Sequence, residues 1–184
     1  MFLEDDRNKD LRSYVLKQFV SGVMTDEERA KIWDLPEGCR MRENAKIISP
    51  ENLKCGEYVW VGEGAVLDAS GGLEIGAHTS IGLNVMIWSH TSFLANLKMD
   101  NVKGSKYIAR AKTTIGKGCF IAGPSVVLHG VSIGDKSMVM PMSVINKDIP
   151  PNSLVGGNPA RVIRKIDDSF IESEIKKFQD KEQL

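Results

Sequence analysis

Aliphatic residues recur at every sixth position between residues 113 and 146, a spacing that predicts a series of short, equivalent strands. The recurring residues are Ile115, Ile121, Val127, Ile133, Val139 and Ile145. Two positions before them stand the small or β-branched residues Thr113, Cys119, Ser125, Val131, Ser137 and Ser143. Side chains two positions apart on a strand point to the same face, so each unit offers one large and one small group to an interior. A period of six predicts a β-solenoid with three flat faces and three units per coil.

An ordinary run of antiparallel strands is the alternative interpretation of this stretch. It would require hairpin turns such as Asn-Gly or Asp-Gly, and residues 113–146 contain neither. Gly116 and Gly134 instead follow directly after aliphatic residues, where a tight corner gains from a missing Cβ. The pattern therefore favours stacked parallel strands.

The same spacing continues towards the N-terminus, first clearly and then weakly. Ile75, Ile81 and Ile87 repeat at a spacing of six. The Gly71-Gly72 pair shifts the position of the repeat relative to the residues before it, where weaker repeats begin at Ile47. We therefore expect an all-β solenoid over residues 47–160, preceded by a helical segment at 1–46 and followed by a tail and helix at 161–184.

Two flanking segments have helical patterns. Apolar residues recur at three- and four-residue spacing over residues 8–35, and Thr25 with Glu28 forms a capping-box sequence that opens a second short helix. A polar helix is predicted over residues 167–181, with Phe170 and Phe178 near one face. We expect this C-terminal helix to cover the open end of the prism.

Residues 89–112 interrupt the repeat and are the segment in which we first expect catalytic or binding residues. The segment contains no six-residue units, carries several charges, and lies between two regular stretches. Long insertions of this kind on a rigid scaffold commonly carry binding and catalytic groups. We expect a loop that leaves one corner of the prism and returns to it.

Composition excludes some classes of function. The chain has 184 residues and a formal net charge of zero, so no basic excess is present to neutralise nucleic-acid phosphates. The charged N-terminus is unlike a signal peptide, and no apolar run is long enough to span a bilayer. Three cysteines without a paired spacing predict neither a disulfide framework nor a zinc site. A cytoplasmic location is the default expectation.

The repeats, the insertion and the ending KDIPPNSLVGGNPARVIRKI at residues 147–166 resemble the hexapeptide-repeat acyltransferases. More narrowly, they resemble the branch of galactoside, maltose and polysaccharide O-acetyltransferases, over about residues 47–166. The resemblance implies a left-handed parallel β-helix, a homotrimer with active sites between neighbouring prisms, and acetyl-CoA as cosubstrate.

In this family a histidine at the start of the insertion acts as general base on the acceptor hydroxyl, and His90 matches that position. A neutral imidazole can take the proton from a sugar hydroxyl as the oxygen attacks the thioester. Trp88 would suit stacking on a sugar ring, with packing at an interface as the alternative. His78 and His129 lie in regular repeats and are expected to be surface or interface residues.

The resemblance also implies a binding path for coenzyme A. Gly123 and Pro141 align with corner positions that hold the pantetheine arm. Asn146, Lys147 and Arg164 align with positions that contact the adenine and phosphate end, where cationic side chains suit phosphates. The oxyanion would be stabilised by backbone N–H groups near the insertion.

These features predict an acetyl-CoA-dependent O-acetyltransferase acting on a carbohydrate hydroxyl, either of a surface-polysaccharide sugar or of its precursor. Direct transfer is expected, because no convincing nucleophile accompanies His90. N-acetylation of a nucleotide-linked amino sugar is the alternative within the fold. Outside the class, a metal-binding protein of the carbonic-anhydrase type or a non-catalytic β-helix remains open. The spacing of the three histidines predicts no metal site.

Overall fold

The computed structural model describes residues 24–102 and 104–182 and shows short strands linked by turns throughout the centre of the chain. The first strands are β1 (Arg40–Met41), β2 (Lys46–Ile48), β3 (Leu53–Cys55), β4 (Trp60–Val61), β5 (Val66–Asp68), β6 (Leu73–Ile75), β7 (Ser80–Ile81), β8 (Met86–Ile87) and β9 (His90–Thr91). The later strands are β10 (Ala109–Arg110), β11 (Thr113–Ile115), β12 (Phe120–Ile121), β13 (Val126–Val127), β14 (Ser132–Ile133), β15 (Met138–Val139), β16 (Val144–Ile145), β17 (Ser153–Gly157) and β18 (Ala160–Lys165). Helices α1 (Asp26–Ile32), α2 (Phe93–Leu97) and α3 (Asp168–Glu182) accompany them, with a 3₁₀ turn at Pro50–Asn52.

The strands form three parallel sheets, which are the faces of a prism. Face A has the order β1-β4-β7-β12-β15-β17, face B the order β16-β13-β8-β5-β2, and face C the order β14-β11-β6-β3. The chain turns a corner after each strand and returns to the same face one coil later. This is the predicted fold class, a left-handed parallel β-helix with flanking helices.

Strand register stacks the repeat residues of neighbouring coils directly on one another. On face B, Leu67 pairs with Ile87, Ile87 with Val127, and Val127 with Ile145. The six aliphatic residues of 113–146 are at most 1% exposed, and the six small ones at most 4%. The prediction of one large and one small inward group per unit is confirmed.

The small inward residues also satisfy backbone polar groups at the corners. The hydroxyl of Ser143 donates to the carbonyl of Met140 at 2.7 Å and accepts from the amide of Gly157 at 3.1 Å. Thr79 likewise donates to the carbonyl of Gly116 at 2.7 Å and accepts from the amide of Cys119 at 3.1 Å. Buried polar groups need such partners, which explains why hydroxyl residues occupy the interior of an otherwise aliphatic prism.

The corner glycines are required by the stacking of coils. A Cβ on Gly116 would lie 2.5 Å from the amide nitrogen of Asp135 in the next coil, and one on Gly134 would lie 2.4 Å from the nitrogen of Pro151. Neither glycine has a φ in the left-handed region. The backbone of the neighbouring coil therefore occupies the space that a side chain would need.

Helix α1 begins with the predicted capping box. The amide of Glu28 donates to the Thr25 hydroxyl at 3.3 Å, and the amide of Thr25 donates to the Glu28 carboxylate at 2.8 Å. Residues 8–23 of the predicted helical segment lie outside the described residues. The buried Arg29 attaches α1 to the first coil by donating from Nε to the carbonyl of Met41 at 2.8 Å.

The solenoid begins earlier than residue 47, inside the segment assigned to the helical N-terminus. Strand β1 starts at Arg40, and Cys39 and Met41 are 3% and 1% exposed. They occupy the small and large inward positions of a unit, and Met41 lies six residues before Ile47. Methionine fills such a position well, although it is not one of the aliphatic residues that define the repeat.

A hairpin, and not the last helix, covers the C-terminal edge of face A. Strand β18 folds back antiparallel along β17. The apolar residues of α3 stay accessible within the single chain, with Ile171, Ile175 and Phe178 exposed by 47%, 50% and 68%. The expectation that this helix closes the prism is therefore wrong for the chain by itself. None of the described helices is both long enough and apolar enough to cross a membrane.

Candidate active site

The insertion leaves the corner between faces B and C after β8 and returns at β11. At its base, β9 and β10 form a two-stranded antiparallel ribbon in which His90 pairs with Arg110 and Thr91 with Ala109. Helix α2 lies between these two strands in the sequence. The ribbon holds the start of the insertion, including His90, against the prism wall.

His90 is held by a buried carboxylate from the preceding coil. Its Nδ1 lies 2.6 Å from Oδ2 of Asp68, a residue that is 0% exposed. The same oxygen accepts the amides of Ser89 at 2.9 Å and His90 at 3.1 Å, and the other oxygen accepts the amide of Ser70 at 3.1 Å. Asp68 therefore fixes both the backbone and the ring of His90.

The hydrogen bonds to Asp68 determine its charge. Burial by itself raises the pKa of this carboxyl, but the bonds from the Ser89 and Ser70 amides, the Ser70 side chain and His90 outweigh it and lower the pKa to about 2. Asp68 is consequently an anion at neutral pH and can only accept hydrogen bonds. Neutral His90 must then carry its proton on Nδ1, which leaves Nε2 with a free lone pair.

Two serines adjoin this pair, and neither is placed as a nucleophile. Ser89 is 0% exposed, and its hydroxyl contacts Asp68 at 3.3 Å and accepts the Gly71 amide at 2.8 Å. The hydroxyl of Ser70 lies 2.9 Å from Nδ1 of His90, the nitrogen that already donates to Asp68. A protonated Nδ1 cannot take a proton from Ser70, so the geometry agrees with direct transfer.

A cleft of about 310 Å³ opens beside His90. Its lining residues are Trp88, His90, Thr91, Ser92, Leu128 and His129. The Trp88 ring meets the His90 ring edge-on, with centroids 6.1 Å apart at 78°. His129, expected only as a surface or interface residue, thus shares the cleft of the candidate base. The exposed His78 stacks on Tyr58 at another corner, with centroids 5.1 Å apart.

The predicted coenzyme A residues lie in three places. Gly123 and Pro141 are at the corner between faces A and B, whereas Asn146 and Lys147 are at the corner between faces B and C. Arg164 lies on β18. Within one chain the first two residues are therefore separated from His90 by face B.

The surroundings of the predicted coenzyme A residues differ in packing and exposure. A Cβ on Gly123 would lie 1.7 Å from the carbonyl oxygen of Leu83, so no larger residue fits. The Arg164 guanidinium lies 4.6 Å from the centroid of the Phe170 ring and 4.0 Å from the Asp167 carboxylate. Asn146 and Lys147 are exposed.

Sequence reasoning missed Asp68. It directly follows Leu67, which stacks on Ile87, so one coil corresponds to 20 positions at this point. Adding 20 positions to Asp68 gives Trp88, two residues before His90. An acidic residue about one coil before the histidine was the sequence feature that could have identified Asp68. It was not recognised because the six-residue repeat changes position at the Gly71-Gly72 pair.

A metal centre finds no support in the residues that the structure describes. Among them, no group of three or more histidine, cysteine, aspartate or glutamate side chains is arranged to hold a metal ion.

The fold has clear counterparts among solved structures, although no protein-family model matches the chain. A galactoside acetyltransferase in complex with coenzyme A superposes with a TM-score of 0.68 at 26% identity, covering 89% of this chain and 83% of that one. The Vibrio cholerae hexapeptide-repeat acetyltransferase VCA0836 complexed with acetyl coenzyme A gives a TM-score of 0.67 at 24% identity, covering 90% and 92%. The chain therefore shares the fold of the hexapeptide-repeat acetyltransferases, the family that its sequence resembles.

A curated relative points in the same direction. WcaF of Escherichia coli K12, whose name describes a colanic acid biosynthesis acetyltransferase, is 35% identical over 125 residues. The match covers 68% of this chain and 65% of WcaF, so the chain spans slightly less than two thirds of that relative.

Proposed function

We propose that this protein is an acetyl-CoA-dependent O-acetyltransferase that acts on a carbohydrate hydroxyl, with His90 as general base. The observation that carries the proposal is the bond between His90 Nδ1 and the buried Asp68, which leaves Nε2 free as a proton acceptor on a residue that lines the cleft. An imidazole oriented by a carboxylate in this way is the arrangement that general-base catalysis requires.

The reaction is a direct transfer. Nε2 of His90 takes the proton of the acceptor hydroxyl while its oxygen attacks the thioester carbonyl carbon of acetyl-CoA. The tetrahedral intermediate then loses the thiolate, which receives the proton back from His90. Asp68 stabilises the transient imidazolium, because its carboxylate stays ionised throughout.

Acetyl-CoA binding is assigned to two sets of residues. Gly123 and Pro141 provide corner backbone for the pantetheine arm, and Asn146, Lys147 and Arg164 bind the adenine and phosphate end. Since face B separates Gly123 from His90 within one chain, a complete site requires a neighbouring copy. We therefore include a homotrimer with sites between subunits in the proposal.

The acceptor is proposed to be a surface-polysaccharide sugar or its precursor, in line with the name of WcaF. Trp88, whose ring lies beside His90 in the cleft, would stack on the sugar ring. A cytoplasmic enzyme would meet both acetyl-CoA and activated sugar precursors.

The test is acetyl-CoA turnover, followed as release of free thiol, with a panel of free sugars, nucleotide sugars and oligosaccharides. Wild type and His90→Ala are compared, with His78→Asn as the matched control at a histidine far from the cleft. We expect acceptor-dependent release that falls about 10²–10⁴-fold in His90→Ala and is unchanged in His78→Asn. Full activity of His90→Ala would contradict the proposal, and release only with amino sugars would favour N-acetylation.

A further inference from the structure

His129 lies at the same corner of the prism as Asp68 and His90, which its place in a regular repeat did not reveal. Strand β5 ends at Asp68, β8 leads into His90, and β13 leads into His129. Because β5, β8 and β13 are neighbours in face B, these three residues come from three successive coils at one corner of the prism. Adjacent parallel strands lie about 4.8 Å apart, so the residues that follow these three strands lie near one another at the corner.

The two ring nitrogens of His90 have different roles. Nδ1 lies 2.6 Å from the Asp68 carboxylate, which leaves Nε2 to act on a bound acceptor. The cleft that His90 lines is also bounded by Leu128 and His129, which follow the strand of the next coil. An acceptor hydroxyl that gives its proton to Nε2, and the carbonyl carbon that its oxygen attacks, must therefore lie in the cleft that both histidines line.

Four backbone amides beside the two histidines are already engaged. Those of Ser89 and His90 both donate to Asp68. Those of Leu128 and Gly130, the neighbours of His129, donate to the Ile145 carbonyl at 2.9 Å and to the Thr113 hydroxyl at 3.0 Å. These four amides are therefore unavailable to an oxyanion, whereas the imidazole N–H of His129 is a side-chain donor in the same cleft.

We propose that His129 is a second catalytic residue, whose imidazole N–H donates a hydrogen bond to the oxyanion formed on the acetyl group. This inference rests on the proposed acyl transfer. As the acceptor oxygen bonds to the carbonyl carbon, its proton goes to Nε2 of His90 and the carbonyl electron pair moves to oxygen, where His129 stabilises the charge. When the carbon–sulfur bond breaks, the electron pair returns, the thiolate takes the proton from His90, and both histidines are neutral again.

Two apolar side chains of the cleft favour such a bond. Trp88 and Leu128 line the space beside the histidines, and a hydrogen bond to a developing charge is worth more once a bound substrate has displaced water from it. Removal of one oxyanion donor in other enzymes lowers kcat by about 10²–10³-fold.

The experiment compares His129→Ala, His129→Asn and the control His78→Asn for kcat, for KM of both substrates, and for coenzyme A affinity by calorimetry. We expect His129→Ala to lose about 10²-fold in kcat, with KM and coenzyme A affinity within about threefold of wild type. His129→Asn keeps an N–H donor and should recover at least tenfold of that loss.

Two results overturn the inference while leaving the proposed function intact. One is wild-type kcat in His129→Ala when His90→Ala is inactive. The other is an equal loss in His129→Asn and His129→Ala, which would show that the N–H donor is irrelevant. If His90→Ala itself retained full turnover, the proposed function and this inference would fall together. Thermal unfolding of each variant confirms that the fold is retained.

Discussion

The carboxylate of Asp68 holds Nδ1 of His90 at 2.6 Å, across 22 positions of sequence and one coil of the prism. The contact joins the end of a regular strand to the start of the insertion. It orients the ring, sets its tautomer and engages the two amides that would otherwise be free beside it.

Asp68→Asn should abolish most activity without removing His90. An asparagine amide can donate to Nδ1, so the ring would carry its proton on Nε2 and lose its function as a base. We expect kcat to fall about 10²–10⁴-fold. Acetyl-CoA turnover measures this, with Glu74→Gln as a control, because Glu74 pairs with Lys112 on the surface. Near-normal kcat in Asp68→Asn would contradict the assigned tautomer.

Asp68 should also make folding stability depend on pH in the acid range. Its pKa is about 2 in the folded chain, against an ordinary value of 3.8, so its contribution is present above about pH 4 and is lost as the pH falls towards 2. The contribution is of the order of 2 kcal/mol. Chemical unfolding at several pH values tests this: the stability difference between wild type and Asp68→Asn should shrink as the pH falls. A constant difference would disagree with the lowered pKa.

Gly123→Ala should destabilise the prism far more than Gly156→Ala. The new Cβ at residue 123 would lie 1.7 Å from the Leu83 carbonyl oxygen, which is backbone and cannot yield. At residue 156 the nearest atoms are side-chain atoms of Ile163 and Met140 at 3.2 Å, which can move. We expect a loss of about 3 kcal/mol or more in the first variant and about 1 kcal/mol or less in the second. Denaturant unfolding of the two proteins side by side provides the measurement.

Lys147→Met should weaken acetyl-CoA binding while sparing the chemical step. If the ammonium contacts the 3′-phosphate, its loss should raise KM for acetyl-CoA about tenfold, equivalent to about 1.4 kcal/mol, with kcat little changed. Lys117→Met, another exposed corner lysine, is the control. Acetyl-dephospho-CoA lacks the 3′-phosphate and should reduce the difference between wild type and Lys147→Met. An equal effect with both substrates would argue against this contact.

The six-residue period was sufficient to predict a three-sided prism of stacked strands, and the family resemblance supplied its handedness. Each unit obeys the same local rule, since an inward pair such as Ser125 and Val127 must be buried in every coil. The same rule applies to Cys39 and Met41, but this unit was not recognised from sequence because a methionine occupies the large inward position. Local side-chain alternation is enough here because every strand is stacked on a copy of the same pattern.

The site was only partly accessible from sequence. His90 and the insertion stood out because they interrupt a regular pattern, and the resemblance to a family assigned the base. Asp68 and His129 do not interrupt it, since one ends a regular strand and the other follows a regular strand. The number of residues per coil decides which corner residues meet, and frame shifts such as Gly71-Gly72 change that number.

The sequence by itself therefore determined the prism and the insertion, because burial of alternating side chains is a local constraint on each strand, and the family resemblance added the candidate base. Only the tertiary structure decided that Asp68, His90 and His129 follow one another along a single corner. That alignment depends on the stacking of whole coils, and their register is set by contacts between residues some 20 to 40 positions apart.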